Sequence, residues 1–227
     1  MTLIIGARCS DGIILAADRK IMRGGEPDYM DKIFELDGVV LAFEGLTGIR
    51  DDFLLLLRSE RDRTRGFTSL YELKLVVEDI VADLYRRYCE RLGEEASIGA
   101  LLGGLSGISR GAAELYYVYP QGYGESVRYR CSGHGADYAH SLAKFLLNPE
   151  DSAQENACRA AFLISWVSDD IDATVGGTPQ VAMIQDDIAG VGYLSDELIE
   201  RAAQNAKQLK PSLAESLGLT EDKRSSS

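Results

Sequence analysis

Apolar residues fall in short runs at both ends of the chain and in long helical stripes between them. Residues 3–9 and 12–18 are rich in Ile, Leu and Ala on either side of Asp11-Gly12, which predicts a hairpin of buried strands. A second strand pair, 33–36 and 39–44, turns through Asp37-Gly38. The period then lengthens. A Leu-rich run covers 49–62, and over 69–92 Leu73, Val76, Val77, Ile80, Leu84 and Tyr88 share one helical face that Gly93 ends. Strand-like segments follow at 97–105, 112–118 and 126–131, divided by Gly107 and Pro120-Gln121-Gly122. Helices are expected at 135–147 and 152–168, separated by Asn148-Pro149, then strands at 180–186 and 188–193 and a helix near 195–207. Residues 1–209 read as one domain of mixed α/β class, and the polar tail 210–227, ending Lys-Arg-Ser-Ser-Ser, is expected to fray.

Composition narrows the function classes. With 227 residues and 45% hydrophobic content, the chain can bury one substantial core. A formal charge of −12 disfavours nucleic acid, because phosphate binding needs a positive face that displaces counterions. Arg58, Arg61, Arg63 and Arg65 alternate with Glu60 and Asp62, so they read as a solvated helix end and not a phosphate-binding patch. No stretch is long and apolar enough to span a membrane, and no signal-peptide pattern opens the chain; a cytoplasmic protein is expected. Cys9, Cys89, Cys131 and Cys158 are too widely spaced for a Cys-x-x-Cys pair, and His134 and His140 are the only histidines. No metal centre, cofactor or disulfide framework is expected, and buried thiols are the natural reading. Gly103-Gly104 lacks the following Lys-Ser or Lys-Thr of a phosphate loop and suits close strand packing.

The candidate chemistry begins at Thr2. If Met1 is removed, Thr2 becomes terminal and carries a nucleophilic hydroxyl and a primary amine on adjacent carbons, so one residue supplies both attacking oxygen and base. The α-amine has an ordinary pKa near ~8, and a nearby cation with partial burial frees it to accept a proton at neutral pH. Lys32 is the candidate cation. Threonine at position 2 is common in ordinary proteins, so the assignment depends on the motifs that follow.

Asp18-Arg19, Asp31-Lys32-Ile33-Phe34-Glu35-Leu36 and Val39 through Gly48 resemble, in order and spacing, the opening of proteasome β-type subunits. Downstream, Cys131-Ser132-Gly133-His134-Gly135 is similar to that family's Gly-Ser-Gly element, and Asp172-Ala173-Thr174-Val175-Gly176-Gly177 to its late Asp-x-x-Ser-Gly-Gly element. The resemblance covers nearly the whole chain. It implies a four-layer α/β/β/α sandwich of the N-terminal-nucleophile hydrolase type and a threonine endopeptidase that works through an acyl-enzyme on Thr2. By the same resemblance, Asp18 holds Lys32 charged, Lys32 stands beside the Thr2 hydroxyl, and Ser132 and Asp172 organise the amine and its water. Gly45 offers its backbone N–H to the oxyanion, and Phe43, Thr47 and Lys20 line the substrate pocket. The implied partners are a peptide or unfolded-protein substrate and further copies in homo-oligomeric rings, with an ATPase or α-type partner; no nucleic acid and no membrane.

Several positions depart from the family pattern. Val175 stands at the late Ser, and Thr174 beside it is expected to point away on extended backbone. Glu44 precedes Gly45 where a small residue is usual. The stretch between Arg19 and Lys32 is short, with Gly24-Gly25-Glu26-Pro27 expected as a loop, and Phe43 suggests a shallow apolar pocket. Methionine aminopeptidase is expected to expose Thr2, since the second residue is small. The chain lacks the N-terminal helical extension of α-type subunits, which favours a β-type role. Two alternatives share these motifs: a connectase-like peptide ligase that passes the same acyl group to an amine, and an inactive structural ring subunit.

Overall fold

The computed structural model describes residues 2–23, 25–93, 97–108 and 110–216. In chain order the elements are β1 (Leu3–Cys9), β2 (Gly12–Ala17), β3 (Lys20–Arg23), β4 (Glu26–Tyr29), β5 (Ile33–Leu36), β6 (Val39–Gly45), α1 (Thr47–Thr64) and α2 (Leu70–Leu92). There follow β7 (Ile98–Leu105), β8 (Ala113–Val118), β9 (Gly124–Ser126), β10 (Tyr129–Gly133), α3 (Ala136–Leu146), α4 (Ala153–Asp170), β11 (Gln180–Gln185), β12 (Gly192–Tyr193) and α5 (Asp196–Ser216).

Because strand side chains alternate between faces, strands that are apolar at every position must be covered on both sides. β1 and β2 meet that condition. Ile14 and Ala16 join Leu3, Ile5 and Ala7 in a cluster beneath α3, α4 and α5, whereas Ile13, Leu15 and Ala17 join Ile4 on the opposite face. In β6, Val39, Leu41 and Phe43 pack toward α1 and α2, while Val40 and Ala42 meet the Ile13 and Leu15 cluster. Two sheets therefore stack face to face with helices outside each, giving the four-layer α/β/β/α sandwich. The first sheet runs β10-β1-β2-β11-β12 and the second β5-β6-β7-β8-β9. Each fully buried Leu or Ile contributes about 1.5–3 kcal/mol of transfer free energy, and most of that lies in these three clusters.

Local signals agree with the packing. Asp37 and Gly38 both have positive φ (52° and 81°), the geometry a two-residue hairpin turn needs. Ser69 caps α2 through the Glu72 N–H, and Ser152 with Glu155 forms a reciprocal capping box at α4.

Four segments differ from expectation. Gly25 lies in the turn of a hairpin between β3 and β4, with Lys20 opposite Tyr29, so the segment expected as a loop is largely strand; Gly24 lies outside the described residues. The segment 126–131 is divided, since β9 pairs with β8 in one sheet and β10 with β1 in the other. Val127 still donates to the Leu115 carbonyl while the Arg128 carbonyl accepts from Arg8, so the chain changes sheets between them. Residues 188–193 shrink to a two-residue strand because Asp187 and Gly190 take positive φ (56° and 114°), which breaks extended backbone. Finally, α5 continues to Ser216, past Lys210; residues 217–227 lie outside the described residues.

Cys131 is buried under the α3–α4 layer, and burial pushes its thiol up to about 12. Cys9 rises to about 11 through burial, which the Asn156 hydrogen bond opposes and the Asp11 charge reinforces. At pH ~8 the thiolate fraction of each is then about one in a thousand or less. Iodoacetamide applied to the folded protein should leave both unlabelled in peptide mass mapping, with labelling appearing only on unfolding. Native labelling of Cys131 would contradict this burial.

Candidate functional site

Strand ends from both sheets meet at one edge of the sandwich. Thr2 precedes β1, Asp18 follows β2, Lys32 precedes β5, Gly45 closes β6 and Gly133 closes β10. The register of β1 against β10 places Gly133 opposite Leu3 and Ser132 opposite Ile4. The Thr2 carbonyl then accepts the His134 N–H at 2.7 Å.

Asp18 has no solvent exposure and is held by four donors. Its Oδ1 accepts the Leu3 N–H at 2.8 Å and Lys32 Nζ at 2.7 Å; its Oδ2 accepts the N–H groups of Lys20 and Gly176, each at 3.1 Å. Lys32 Nζ also donates to the Lys20 carbonyl at 2.6 Å, and the Lys32 backbone N–H is fixed by Gln180 Oε1 at 2.7 Å. Burial pulls the Lys32 ammonium below the usual lysine range; Asp18 opposes the shift and the Arg50 guanidinium adds to it. The result is a buried, oriented ammonium whose proton affinity is reduced, next to a threonine that is itself 6% exposed.

Thr2, Glu44, Gly45, Leu46, Ser97, Gly133 and His134 line an open cleft of about 480 Å³. Gly45 has φ +109°, and a Cβ there would stand 2.1 Å from the Ser97 carbonyl oxygen, so a side chain is excluded on both conformational and steric grounds. Beneath the cleft, Thr2, Lys32, Phe43, Thr47 and Arg50 surround a void of about 10 Å³, at the lower limit for one water. Phe43 is packed between Phe34 and Phe53, with ring centroids 5.7 and 4.8 Å away, and this fills the space a deeper pocket would need. Lys20 does not line that void; its Nζ donates to the Ala173 carbonyl at 2.6 Å.

Ser132 and Asp172 are not joined by a hydrogen bond among the described residues. The Ser132 hydroxyl donates to Glu44 Oε1 at 2.8 Å and lies 2.9 Å from the Tyr117 hydroxyl. Asp172 Oδ1 accepts both the N–H (2.9 Å) and the hydroxyl (2.6 Å) of Thr174. Burial disfavours the charged form of Asp172, but the two Thr174 hydrogen bonds, with the charges of His134 and Lys20, more than offset it and hold the carboxyl below its ordinary value. Residues 172–175 form a turn closed by the Val175 N–H on the Asp172 carbonyl, not the expected extended segment, which is why Thr174 reaches back to Asp172. Val175 is buried in the core beneath the helices and brings no polar group to the site.

Glu44 faces the cleft and does not turn away from it, and Tyr117 and Arg50 enter the site without any motif to announce them. Tyr117, the next-to-last residue of β8, donates to Glu44 Oε1 at 2.5 Å. Arg50 reads in sequence as one more polar residue of α1, yet it is 8% exposed, with its guanidinium over the Phe34 ring at 5.3 Å and bonded to Asp51 at 2.6 Å.

Comparison with known proteins agrees with this arrangement at the level of the fold. Anbu, an ancestral β-subunit from Yersinia bercovieri, superposes with a TM-score of 0.76 at 17% identity, over 95% of this chain and 97% of that one. A Gly-1 mutant of Anbu from Hyphomicrobium sp. strain MC1 gives a TM-score of 0.75 at 15% identity, over 94% and 97%. In sequence, the proteasome subunit alpha of Methanococcus maripaludis strain C5 and that of Methanococcus vannielii are each 24% identical over 174 residues, 75% of this chain. The match spans 66% of those relatives, just under two thirds of their length. The family model described as proteasome subunit matches residues 2–184, which takes in Thr2, the Asp18–Lys32 pair, the cleft glycines and the turn at Asp172, and the chain belongs to the proteasome subunit family.

Proposed function

We propose that the chain is a threonine-type N-terminal-nucleophile peptidase of β-like character, acting on peptides or unfolded polypeptides. The observation that carries this reading is the buried Asp18–Lys32 pair, at 2.7 Å, set against Thr2 at the mouth of an open cleft. A buried ion pair supplies little net stability compared with an apolar pair of the same volume, so a catalytic use explains its retention better than a structural one. In this mechanism removal of Met1 frees the Thr2 amine; Met1 itself lies outside the described residues. The Thr2 Oγ1 attacks a substrate carbonyl as its proton passes to the amine, with the Lys32 charge lowering proton affinity nearby. The oxyanion takes a hydrogen bond from the Gly45 N–H. Collapse expels the amine half of the peptide with that proton and leaves an ester on Thr2. Attack by water then releases the acid and regenerates the hydroxyl.

Assembly into homo-oligomeric rings, fed by an ATPase or an α-type partner in the cytoplasm, belongs to the same reading. Among the described residues no helix is long and apolar enough to cross a membrane.

A second reading, an inactive structural ring subunit, is favoured by one feature: the Ser132 hydroxyl is committed to Glu44, and Val175 offers no replacement. The sequence relatives, named as alpha subunits, point the same way. Intact mass spectrometry before and after a peptide epoxyketone, which needs a free terminal amine and its hydroxyl together, separates the two. Loss of Met1 with one adduct per chain is the expected result. Retained Met1 and no adduct would point to a structural subunit or an unprocessed precursor.

A further inference from the structure

Glu44 stands at the end of β6, immediately before Gly45, and its two oxygens have different surroundings. Oε1 accepts the hydroxyls of Tyr117 and Ser132, at 2.5 and 2.8 Å, which fixes the carboxylate in one orientation. Oε2 has no donor among the described residues, although Glu44 lines the cleft beside Thr2. Gly133 keeps the space in front of it open, since a Cβ there would stand 3.3 Å from Oε2. The Tyr117 phenol is held neutral by burial and by the Glu44 charge, so it serves as a donor and not as a competing anion. The Arg130 guanidinium lies 4.4 Å over the Tyr117 ring, on the aromatic face and not on the carboxylate. A half-buried carboxylate with one oxygen pinned and the other open to a cleft is oriented to accept a hydrogen bond from a ligand there, and a charged donor makes the strongest one. The formal charge of −12 draws cations toward the molecule as a whole.

We propose that Glu44 makes the cleft beside Thr2 a binding site for a cationic group of the substrate, an alkylammonium or guanidinium. The proposal rests on the peptidase reading of Thr2 and names the substrate class that site takes. Two sources supply the same chemistry: a basic side chain of the peptide that acylates Thr2, or the free amino group of a second peptide that receives the acyl group in place of water.

The test uses the full chain carrying Thr2→Ala, so that binding is read without turnover, and fluorescence anisotropy with matched labelled hexapeptides. One contains a lysine, one has norleucine at that position, and both are acetylated; a third is the norleucine peptide with a free amino terminus. A partly exposed ion pair contributes on the order of 1 kcal/mol, so the cationic peptide should bind about fivefold more tightly. Glu44→Gln keeps the acceptor for Tyr117 and Ser132 but removes the charge, and should abolish the preference; Glu44→Asp should keep its sign. A gain confined to the lysine peptide assigns the cation to the acylating substrate, and one confined to the free amino terminus assigns it to the acceptor. Raising salt from about 0.05 to about 0.5 M should shrink the preference without any change at position 44. Equal binding of all three peptides, or a preference that survives Glu44→Gln, overturns the proposal. Epoxyketone labelling of the protein with Thr2 intact is the independent control: no adduct alongside an intact lysine preference removes the peptidase reading and leaves the cation site standing.

Discussion

Thr2→Ala should abolish peptide cleavage and acylation, by about three orders of magnitude or more, while the melting temperature changes by no more than a few degrees. The size of the loss follows from the double use of one residue. The hydroxyl is the nucleophile, and the hydroxyls of Ser132 and Thr174 are tied to Glu44 and Asp172. Removing the group that forms the covalent intermediate in other acyl-transfer enzymes costs about 10⁶-fold, and the residual rate comes from groups that still stabilise the oxyanion. The small structural effect follows from what is deleted. One hydroxyl and one methyl leave a site that opens on a cleft, while the backbone contacts of Thr2, including the His134 N–H on its carbonyl, are untouched. The cost should stay near 1 kcal/mol. Thr2→Ser keeps both amine and hydroxyl and should retain measurable acylation, although the freer serine side chain slows it. The decisive comparison is single-turnover release of a fluorogenic peptide by the wild type, Thr2→Ala and Thr2→Ser. Undiminished turnover by Thr2→Ala would remove the whole catalytic assignment.

The candidate site residues were legible in sequence through motifs that resemble the proteasome β-type pattern, and those motifs sit where strands end. Thr2, Asp18, Lys32 and Gly45 each adjoin a short apolar strand, and the antiparallel pairing brings those ends together. Periodicity alone carried only the mixed α/β class, and the four layers came from the family resemblance: β2 is apolar throughout, and its sequence does not say which core Ile13 and Ile14 each join. The hidden features depend on partners far away in the chain. Nothing local at Val127 and Arg128 signals that one bonds to β8 and the other to β1. The β3–β4 hairpin carries Pro27 and charged residues, which read as loop, yet it closes on Arg19 through the Met30 N–H. Glu44 was visible as an odd residue beside Gly45, but its orientation is set by Tyr117 and Ser132, 73 and 88 residues away. Thr174 was misjudged because extended backbone was assumed where the chain turns.

Asp18→Ala should be among the most destabilising single substitutions in the chain, about 3–5 kcal/mol, and more damaging than Lys32→Ala. The asymmetry comes from the donor list. Without its carboxylate, the buried Lys32 ammonium loses the anion 2.7 Å away, and the backbone N–H groups of Leu3, Lys20 and Gly176 lose their acceptor. Without Lys32, Asp18 still accepts three backbone N–H groups, which stabilise its charge in place. Both variants should lose acylation, so activity alone does not tell them apart; urea unfolding does. The pH dependence gives a sharper test. Lys32 already has a folded-state pKa below its ordinary 10.5, chiefly through burial, and removing Asp18 takes away the opposing effect and lowers it further. A lysine depressed in the folded state binds more protons when unfolded, so stability rises with pH between the folded value and the ordinary one. The gap in stability between Asp18→Ala and wild type should therefore narrow as pH rises from neutrality toward the ordinary lysine value of 10.5, because the more strongly depressed lysine sheds its proton first. A gap that widens over that range, or an Asp18→Ala protein as stable as the wild type, would show that the ammonium is not held in a buried pair.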